Sequence, residues 1–271
     1  MLARKEVWKT WRFELKYRLS LQQYYCFRNA LLPYMEKDPF TKPTGSYLVR
    51  SLYFDTYDYQ AYHEKINGDY GRIKIRVRAY TDSPAGDPPV RVELKTRWGS
   101  AMEKYSCFTS SSLLQQFLHT SHWPEDENNP VLIEFARLYH LRTLRPQLLV
   151  QYQREGFKAR DGSNLRITFD RHICSAKAAT LFPQHSFLRP QQPHEVILEI
   201  KCQNDHPRWL TQLVKQHGLK LQANSKYARG IEIARPDVVT PMWSQGYYDH
   251  KTALSAAAGK HHPHSYSNFG S

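Results

Sequence analysis

The sequence predicts an α+β fold: antiparallel strands with one apolar and one charged face each, and helices laid against the apolar side. Three observations lead there. Apolar and charged residues alternate with period 2 in segment after segment, which puts one set on each face of a strand. Helix-start signals fall between groups of strands rather than after every strand, unlike repeated parallel βαβ units. The 271 residues include 41% apolar and 13% aromatic residues with only 12 Gly, enough for a substantial core.

Taken in order, the first strand is Trp11 to Arg18, where Arg12, Glu14, Lys16 and Arg18 alternate with Trp11, Phe13, Leu15 and Tyr17. Ser20 followed by Gln23 is a capping box ahead of LQQYYCFRNALLPYM. YLVRSLYFD, Tyr47 to Asp55, reads as a strand and Tyr57 to Glu64 as a short helix. The alternation is plainest in RIKIRVRAY, with Arg72, Lys74, Arg76 and Arg78 on one face and Ile73, Ile75 and Val77 on the other. VRVELKTR repeats it with Arg91, Glu93, Lys95 and Arg97, and EKYSCF supplies Lys104. Ser110 to Ser112 lead into LLQQFLH, and Pro130 opens VLIEFARLYHL with Val131, Ile133, Phe135 and Leu138 at helical spacing.

The second half continues the pattern. LLVQYQR ends with Tyr152 and Arg154 in phase, LRITFD sets Arg166, Thr168 and Asp170 against Leu165, Ile167 and Phe169, and EVILEIK sets Glu195, Glu199 and Lys201 against Val196, Leu198 and Ile200. Pro207 opens RWLTQLVKQH, Gly218 can end it in the left-handed conformation, and a last helix covers Lys226 to Ala234. Past Pro236 the periodicity is lost. Residues 1–236 are therefore expected to form the domain and 237–271 a disordered tail, whose His261, His262 and His264 would bind metal only adventitiously.

Charge narrows the function. There are 38 Lys+Arg against 25 Asp+Glu, a formal net charge of +13, which implies a polyanionic partner: nucleic acid, an anionic membrane or a phosphate-rich small molecule. The charged strand faces hold fourteen cations against five acids, so most of the excess is organised on them. One such strand is an ordinary solvated face. Several side by side would repel, since directly opposed like charges destabilise a sheet, so something anionic belongs among them. Curled into a barrel, these strands would line an aqueous lumen with cations while their apolar faces point outward under helices. The acids left in the lumen would hold a divalent cation or pair with selected cations.

Other classes fit less well. A nucleic-acid module needs aromatics interleaved with its cations, whereas Phe13, Tyr17, Phe54 and Phe169 fall opposite the charges or among apolar residues, so no sequence-specific nucleic acid is expected. No GxxxxGK[ST] loop occurs. Cys26, Cys107, Cys174 and Cys202 are scattered without a CxxC pair, as reduced thiols would be. No stretch reaches the roughly 18 apolar residues of a membrane span, and the first residues lack a secretory apolar region. A cytoplasmic location is the expectation.

FELKY (13–17), SLYFDT (51–56), GRIKIRVRAY (71–80), VELK (92–95) followed by Lys104, YQRE (152–155), LRITFD (165–170), LEIK (198–201) and SKY (225–227), in this order and spacing, resemble the catalytic domain of the vacuolar transporter chaperone (VTC) family of polyphosphate polymerases, within the triphosphate tunnel metalloenzymes. The resemblance covers about residues 11 to 235. It implies an eight-stranded antiparallel β-barrel forming a tunnel, with helices outside. It implies transfer of the ATP γ-phosphate to a growing inorganic polyphosphate chain, with ADP released. By motif, the phosphate-binding residues would be Lys16, Arg76, Arg78, Lys95, Lys104, Arg154, Arg166 and Lys226. Glu199 would be the principal ligand of Mg²⁺ or Mn²⁺, Glu14 the second, and Glu93 a further candidate. One departure matters: hydrolytic relatives carry Glu-x-Glu-x-Lys in the first strand, and this chain has Arg12, Glu14, Lys16, which favours polymerase over triphosphatase. Eukaryotic members add a regulatory domain and membrane spans, so this chain would act alone or through a separate membrane partner. The alternatives are a triphosphatase in the same tunnel and a non-catalytic polyphosphate binder.

Overall fold

The computed structural model describes residues 13–41, 44–99, 101–125, 127–203 and 206–239. The expectations for Trp11, Arg12 and the tail from 240 onward lie outside the described residues. The elements run β1 (Phe13–Ser20), α1 (Leu21–Leu31), β2 (Met35–Lys37), β3 (Tyr47–Asp55), α2 (Gln60–Asn67), β4 (Gly71–Ala79), β5 (Pro89–Trp98), β6 (Ala101–Ser110), α3 (Ser111–Thr120), α4 (Pro130–Leu141), β7 (Arg145–Ala159), β8 (Arg166–Lys177), β9 (Arg189–Pro190), β10 (Glu195–Cys202), α5 (Arg208–Gln216), α6 (Lys226–Ala234) and α7 (Pro236–Val239). No helix among the described residues is long and apolar enough to cross a membrane.

Local chemistry sets the boundaries. The Gln23 amide donates to Ser20 Oγ at 3.1 Å and the Ser20 amide to Gln23 Oε1 at 3.0 Å, the reciprocal bonds of a capping box. α1 stops two residues ahead of Pro33, which cannot continue it. α2 begins at Gln60, later than the sequence suggested, because Tyr59 turns left-handed at φ 60° and the Asp55 carboxylate accepts from the Ala61 and Tyr62 amides. Asn129 caps α4 ahead of Pro130, and Ser225 caps α6. β7 is far longer than LLVQYQR, β2 and β9 are too short to leave a periodic signal, and Pro236–Val239 is a helical turn just inside the expected tail.

All strand pairings are antiparallel, in the order β1-β10-β8-β7-β3-β4-β5-β6, with β2 on β7 and β9 on β8. The path has the eight antiparallel strands expected, but its ends, β1 and β6, do not pair among the described residues, so the expected barrel is not closed. The free edge of β1 is met instead by the segment before α6: Tyr17 bridges to Leu221, and the Gln222 amide donates to the Lys16 carbonyl at 2.9 Å. That segment satisfies part of the edge a closing strand would have used. The sheet still curls strongly. Lys95 on β5 lies 3.3 Å from Glu14 on β1, six strand steps away, a separation of about 29 Å in a flat sheet.

The curl gives the faces different cores. On the convex side Leu52, Phe54, Ile75, Val77, Val92 and Leu94 pack with Phe117 of α3 and Leu132 and Phe135 of α4. Tyr17, Leu19, Ile167, Phe169, Leu198 and Ile200 pack with Tyr24 and Phe27 of α1 and Leu210 of α5. A third cluster lies on the concave side. Val49, Tyr53, Val150, Tyr152 and Ile197, in phase with the charged residues, and Ile173, beyond the register shift between β7 and β8, meet Tyr227, Ala228 and Ile231 of α6, Tyr62 of α2 and Tyr59 just ahead of it. Helices were expected only outside, so α2 and α6 are corrections. The apolar half of the concave face needed cover, and Gly230 lets α6 approach closely, since a Cβ there would press on Leu148 and Ser175. The result is a cleft, charged at one end and filled by α6 at the other.

Candidate functional site

Strand register sorts the charged concave residues into two unlike walls. Along β1, β10, β8 and β7, opposite charges face each other in the cleft: Lys16 opposite Glu199, Glu14 opposite Lys201, Arg154 opposite Asp170, with like charges meeting only toward the rim, where Arg166 lies between Lys201 and Lys158. Such pairs stabilise a sheet. Along β4, β5 and β6 most facing charges are alike: Arg72 opposite Arg97, Lys74 opposite Lys95, Arg78 opposite Arg91, Lys95 opposite Lys104. Only Arg76 opposite Glu93 breaks the series there. One wall is largely neutralised within itself and the other carries an excess of cations.

On the neutralised wall, Asp170 is wholly buried and accepts from Arg154 at 2.6 and 2.7 Å, with the Lys226 ammonium of α6 at 2.6 Å. Glu199 sits 3.1 Å from Lys226, 3.3 Å from Lys201, 3.7 Å from Arg154 and 3.8 Å from Lys16. Burial alone would raise both carboxyl groups, but the surrounding cations outweigh it: Asp170 is lowered, and Glu199 lies well below the carboxylate range. Glu14 behaves alike; burial opposes its charge, yet Lys16, Lys201 and Lys95 bring it to about 2. Burial likewise disfavours the Lys226 charge, and Asp170 and Glu199 reverse that and raise its pKa. The Tyr152 ring lies 5.2 Å from the Arg154 guanidinium and 4.9 Å from the Lys226 ammonium.

On the cationic wall, Glu93 is the buried hub. Arg76 Nε lies 2.6 Å and Lys104 Nζ 2.5 Å from its oxygens, with Arg91 at 3.8 Å and Arg78 at 3.9 Å. Burial would raise Glu93, but Arg76, Arg78 and Lys104 take it far down. Burial in turn draws Lys104 down to about 8 despite Glu93. Arg76 also donates to the Tyr53 hydroxyl at 3.1 Å.

Lys16, Arg76, Arg78, Lys95, Lys104, Arg154, Glu199, Lys226 and Glu14 thus gather on one concave face. Arg166 stands apart at the rim, donating to Asp38 at 2.9 Å and to the Tyr47 hydroxyl at 3.2 Å. Gly156 leaves room for that contact, because a Cβ there would collide with the Asp38 carboxylate. Gly156→Ala is expected to displace Asp38 and free Arg166, costing about 1–3 kcal/mol in a urea melt; unchanged stability would mean that Asp38 swings aside freely. Sequence reasoning gave no site role to Asp170, Lys201, Tyr53, Tyr152 or Asp38. Asp170 and Lys201 carried the signal of alternation phase, whereas Asp38 lies outside any long strand.

Among the described residues no group of three or more His, Cys, Asp or Glu could hold a metal ion. Glu14 and Glu199 nonetheless face one small volume: Lys16 lies 3.2 and 3.8 Å from them, and Lys201 4.0 and 3.3 Å. Two carboxylates so placed suit a hard divalent ion that completes its shell with water and phosphate oxygens. Cations lie against the oxygens of all three carboxylates, but at 2.6 and 2.5 Å Arg76 and Lys104 hold Glu93 more tightly than Lys16, Lys95, Lys226 and Lys201, at 3.1 to 3.3 Å, hold Glu14 and Glu199.

The model of the VTC domain family matches residues 11–235. No curated protein matches the chain. Among solved structures, a candidate adenylate cyclase from Bacillus halodurans is 13% identical with a TM-score of 0.47, covering 78% of this chain and 92% of its own. A candidate adenylate cyclase from Vibrio parahaemolyticus is 13% identical with a TM-score of 0.43, covering 86% and 99%. The PH1819 protein of Pyrococcus horikoshii is 13% identical with a TM-score of 0.42, covering 82% and 95%.

Proposed function

The chain belongs to the VTC domain family, and from that premise we propose that it is a metal-dependent polyphosphate polymerase that passes the ATP γ-phosphate to an inorganic polyphosphate chain. The observation that carries this reading is the like-charged wall of β4, β5 and β6 facing the carboxylates Glu14 and Glu199 across the cleft. Phosphate oxygens supply the countercharge this wall lacks. Arg76 and Arg78 suit a forked grip on phosphate and Lys16, Lys95 and Lys104 act as movable point charges, while Arg154 and Lys226, held by Asp170 and Glu199, add fixed positive charge behind them.

In the transfer, a terminal oxygen of the polyphosphate attacks the γ-phosphorus while the bond from that phosphorus to the β–γ bridging oxygen breaks, and ADP leaves with the electron pair. The residues hold donor and acceptor in line and spread the charge of the moving group, so no protein nucleophile is needed. Glu14 and Glu199 would hold Mg²⁺ or Mn²⁺, which supplies further neutralisation of phosphate oxygens.

The second reading, triphosphate hydrolysis, is favoured by α6 filling one end of the cleft, which leaves a growing polymer the charged mouth for both entry and exit. Incubating the full chain with ATP and Mn²⁺ or Mg²⁺, with and without a short polyphosphate primer, separates the two by ³¹P NMR. Internal-phosphate signal growing in step with ADP is the expected result. Free phosphate without polymer would replace polymerase by hydrolase, and tight triphosphate binding without turnover would leave a polyphosphate-binding protein.

A further inference from the structure

A row of lysines crosses the cationic wall: Lys74 on β4 is the cross-strand partner of Lys95 on β5, and Lys95 of Lys104 on β6. Directly opposed like charges repel, and acids relieve two of the three. Glu14 reaches Lys95 at 3.3 Å and Glu93 reaches Lys104 at 2.5 Å. Lys74 has no ion pair among the described residues; its ammonium donates to the Ser225 hydroxyl at 3.0 Å, at the start of α6. The charges that act on it most strongly are cations: Lys16 from β1, Lys65 from α2, Lys95 from β5 and Arg76 of its own strand; the acid beside these lysines, Glu14, is engaged by Lys16 and Lys95. Burial and these neighbours push its pKa down to about 7. Every other lysine on the concave face that we have placed is matched by a carboxylate from the chain itself.

We propose that Lys74, with the Ser225 hydroxyl and the flanking Lys16 and Lys95 ammonium groups, forms a phosphate subsite at the α6 end of the cleft, and that this subsite distinguishes a triphosphate unit from a diphosphate. The inference rests on reading the cleft as a phosphate-chain site and adds the place where a third phosphate is counted. A diphosphate satisfied by Arg76, Arg78 and Lys104 leaves Lys74 uncompensated, whereas one more phosphate completes the lysine row. The geometry also sets a sign. Without ligand, Lys74 burdens the fold, because its charge is partly desolvated and repelled.

The test uses the full chain with sodium tripolyphosphate and sodium pyrophosphate in calorimetric titrations, on wild type, Lys74→Met and Lys74→Arg. Lys74→Met is expected to weaken tripolyphosphate binding about ten- to a hundredfold, the loss of one charged hydrogen bond, with pyrophosphate binding little changed. The ligand-free Lys74→Met protein is expected to melt at a higher temperature than wild type. As pH rises through neutrality, wild type is expected to lose tripolyphosphate affinity relative to Lys74→Arg, whose charge persists; the comparison cancels the ligand's own titration. Equal affinities of wild type and Lys74→Met for tripolyphosphate would overturn the subsite. So would equal losses for both ligands, or a lower melting temperature for ligand-free Lys74→Met. Failure of wild type to bind either ligand would instead overturn the phosphate-chain reading itself.

Discussion

Glu199→Gln is expected to lower turnover by about a hundred- to a thousandfold, the scale of losing one preorganised charge contact to a transition state, while the protein stays folded. Gln keeps the shape of the side chain, and each cation around it retains another acid. Lys226 keeps Asp170 at 2.6 Å, Arg154 keeps Asp170 at 2.6 Å, Lys16 keeps Glu14 at 3.2 Å and Lys201 keeps Glu14 at 4.0 Å. What is lost is the second of the two carboxylates that face one small volume. Metal-free tripolyphosphate binding is expected to hold or strengthen, since a negative charge has left an anion site. Wild-type rates in this variant, followed by ³¹P NMR with circular dichroism to check the fold, would remove Glu199 from the metal role. Loss of metal-free phosphate binding as well would instead make Glu199 an organiser of the cationic side chains.

The strands were legible because period-2 alternation survives in isolated segments: Arg72, Lys74, Arg76 and Arg78 share a face in sequence and in space. The helix starts were legible where a capping serine or an opening proline marks them, as at Ser20, Ser110 and Pro130. The missing closure was not legible, because it depends on residues 221–222 reaching the edge of β1, a contact about two hundred positions away with no periodic trace. The placement of α6 was hidden for a related reason. Val49, Val150 and Ile197 read as unremarkable apolar residues, and only the register shows that they share the concave face with the charges. The resemblance named most of the cations that meet in the cleft. It did not rank them, and the difference between the walls emerges only when cross-strand partners are known, so Lys74 looked like any other cation in the run.

Asp170→Asn is expected to be the most damaging single change to the fold. Asp170 is wholly buried and satisfies a buried guanidinium through two bonds of 2.6 and 2.7 Å while holding the Lys226 ammonium at 2.6 Å. An amide offers one acceptor and no charge, so Arg154 and Lys226 would fall back on Glu199 at 3.7 and 3.1 Å, already shared with two more lysines. Removing one partner of such a buried pair costs about 3–5 kcal/mol, roughly 10 °C in melting temperature for a chain of this size. Its pH signature has a definite sign. Asp170, Glu199, Glu14 and Glu93 all have folded pKa values below their usual ones, so the stability they contribute is fully present above the ordinary carboxylate range, about pH 4, and drains away as pH falls toward the folded values. Wild type is expected to lose stability steeply below that range, and Asp170→Asn to start lower and fall less, because it has one fewer proton to take up. Urea titrations of both proteins at neutral and acidic pH decide it: parallel acid profiles would mean that Asp170 is not coupled to the fold through its charge. Equal stability at neutral pH would mean that Glu199 alone can neutralise both cations, and the wall would then be held by packing of Tyr152 and Tyr227 rather than by its ion pairs.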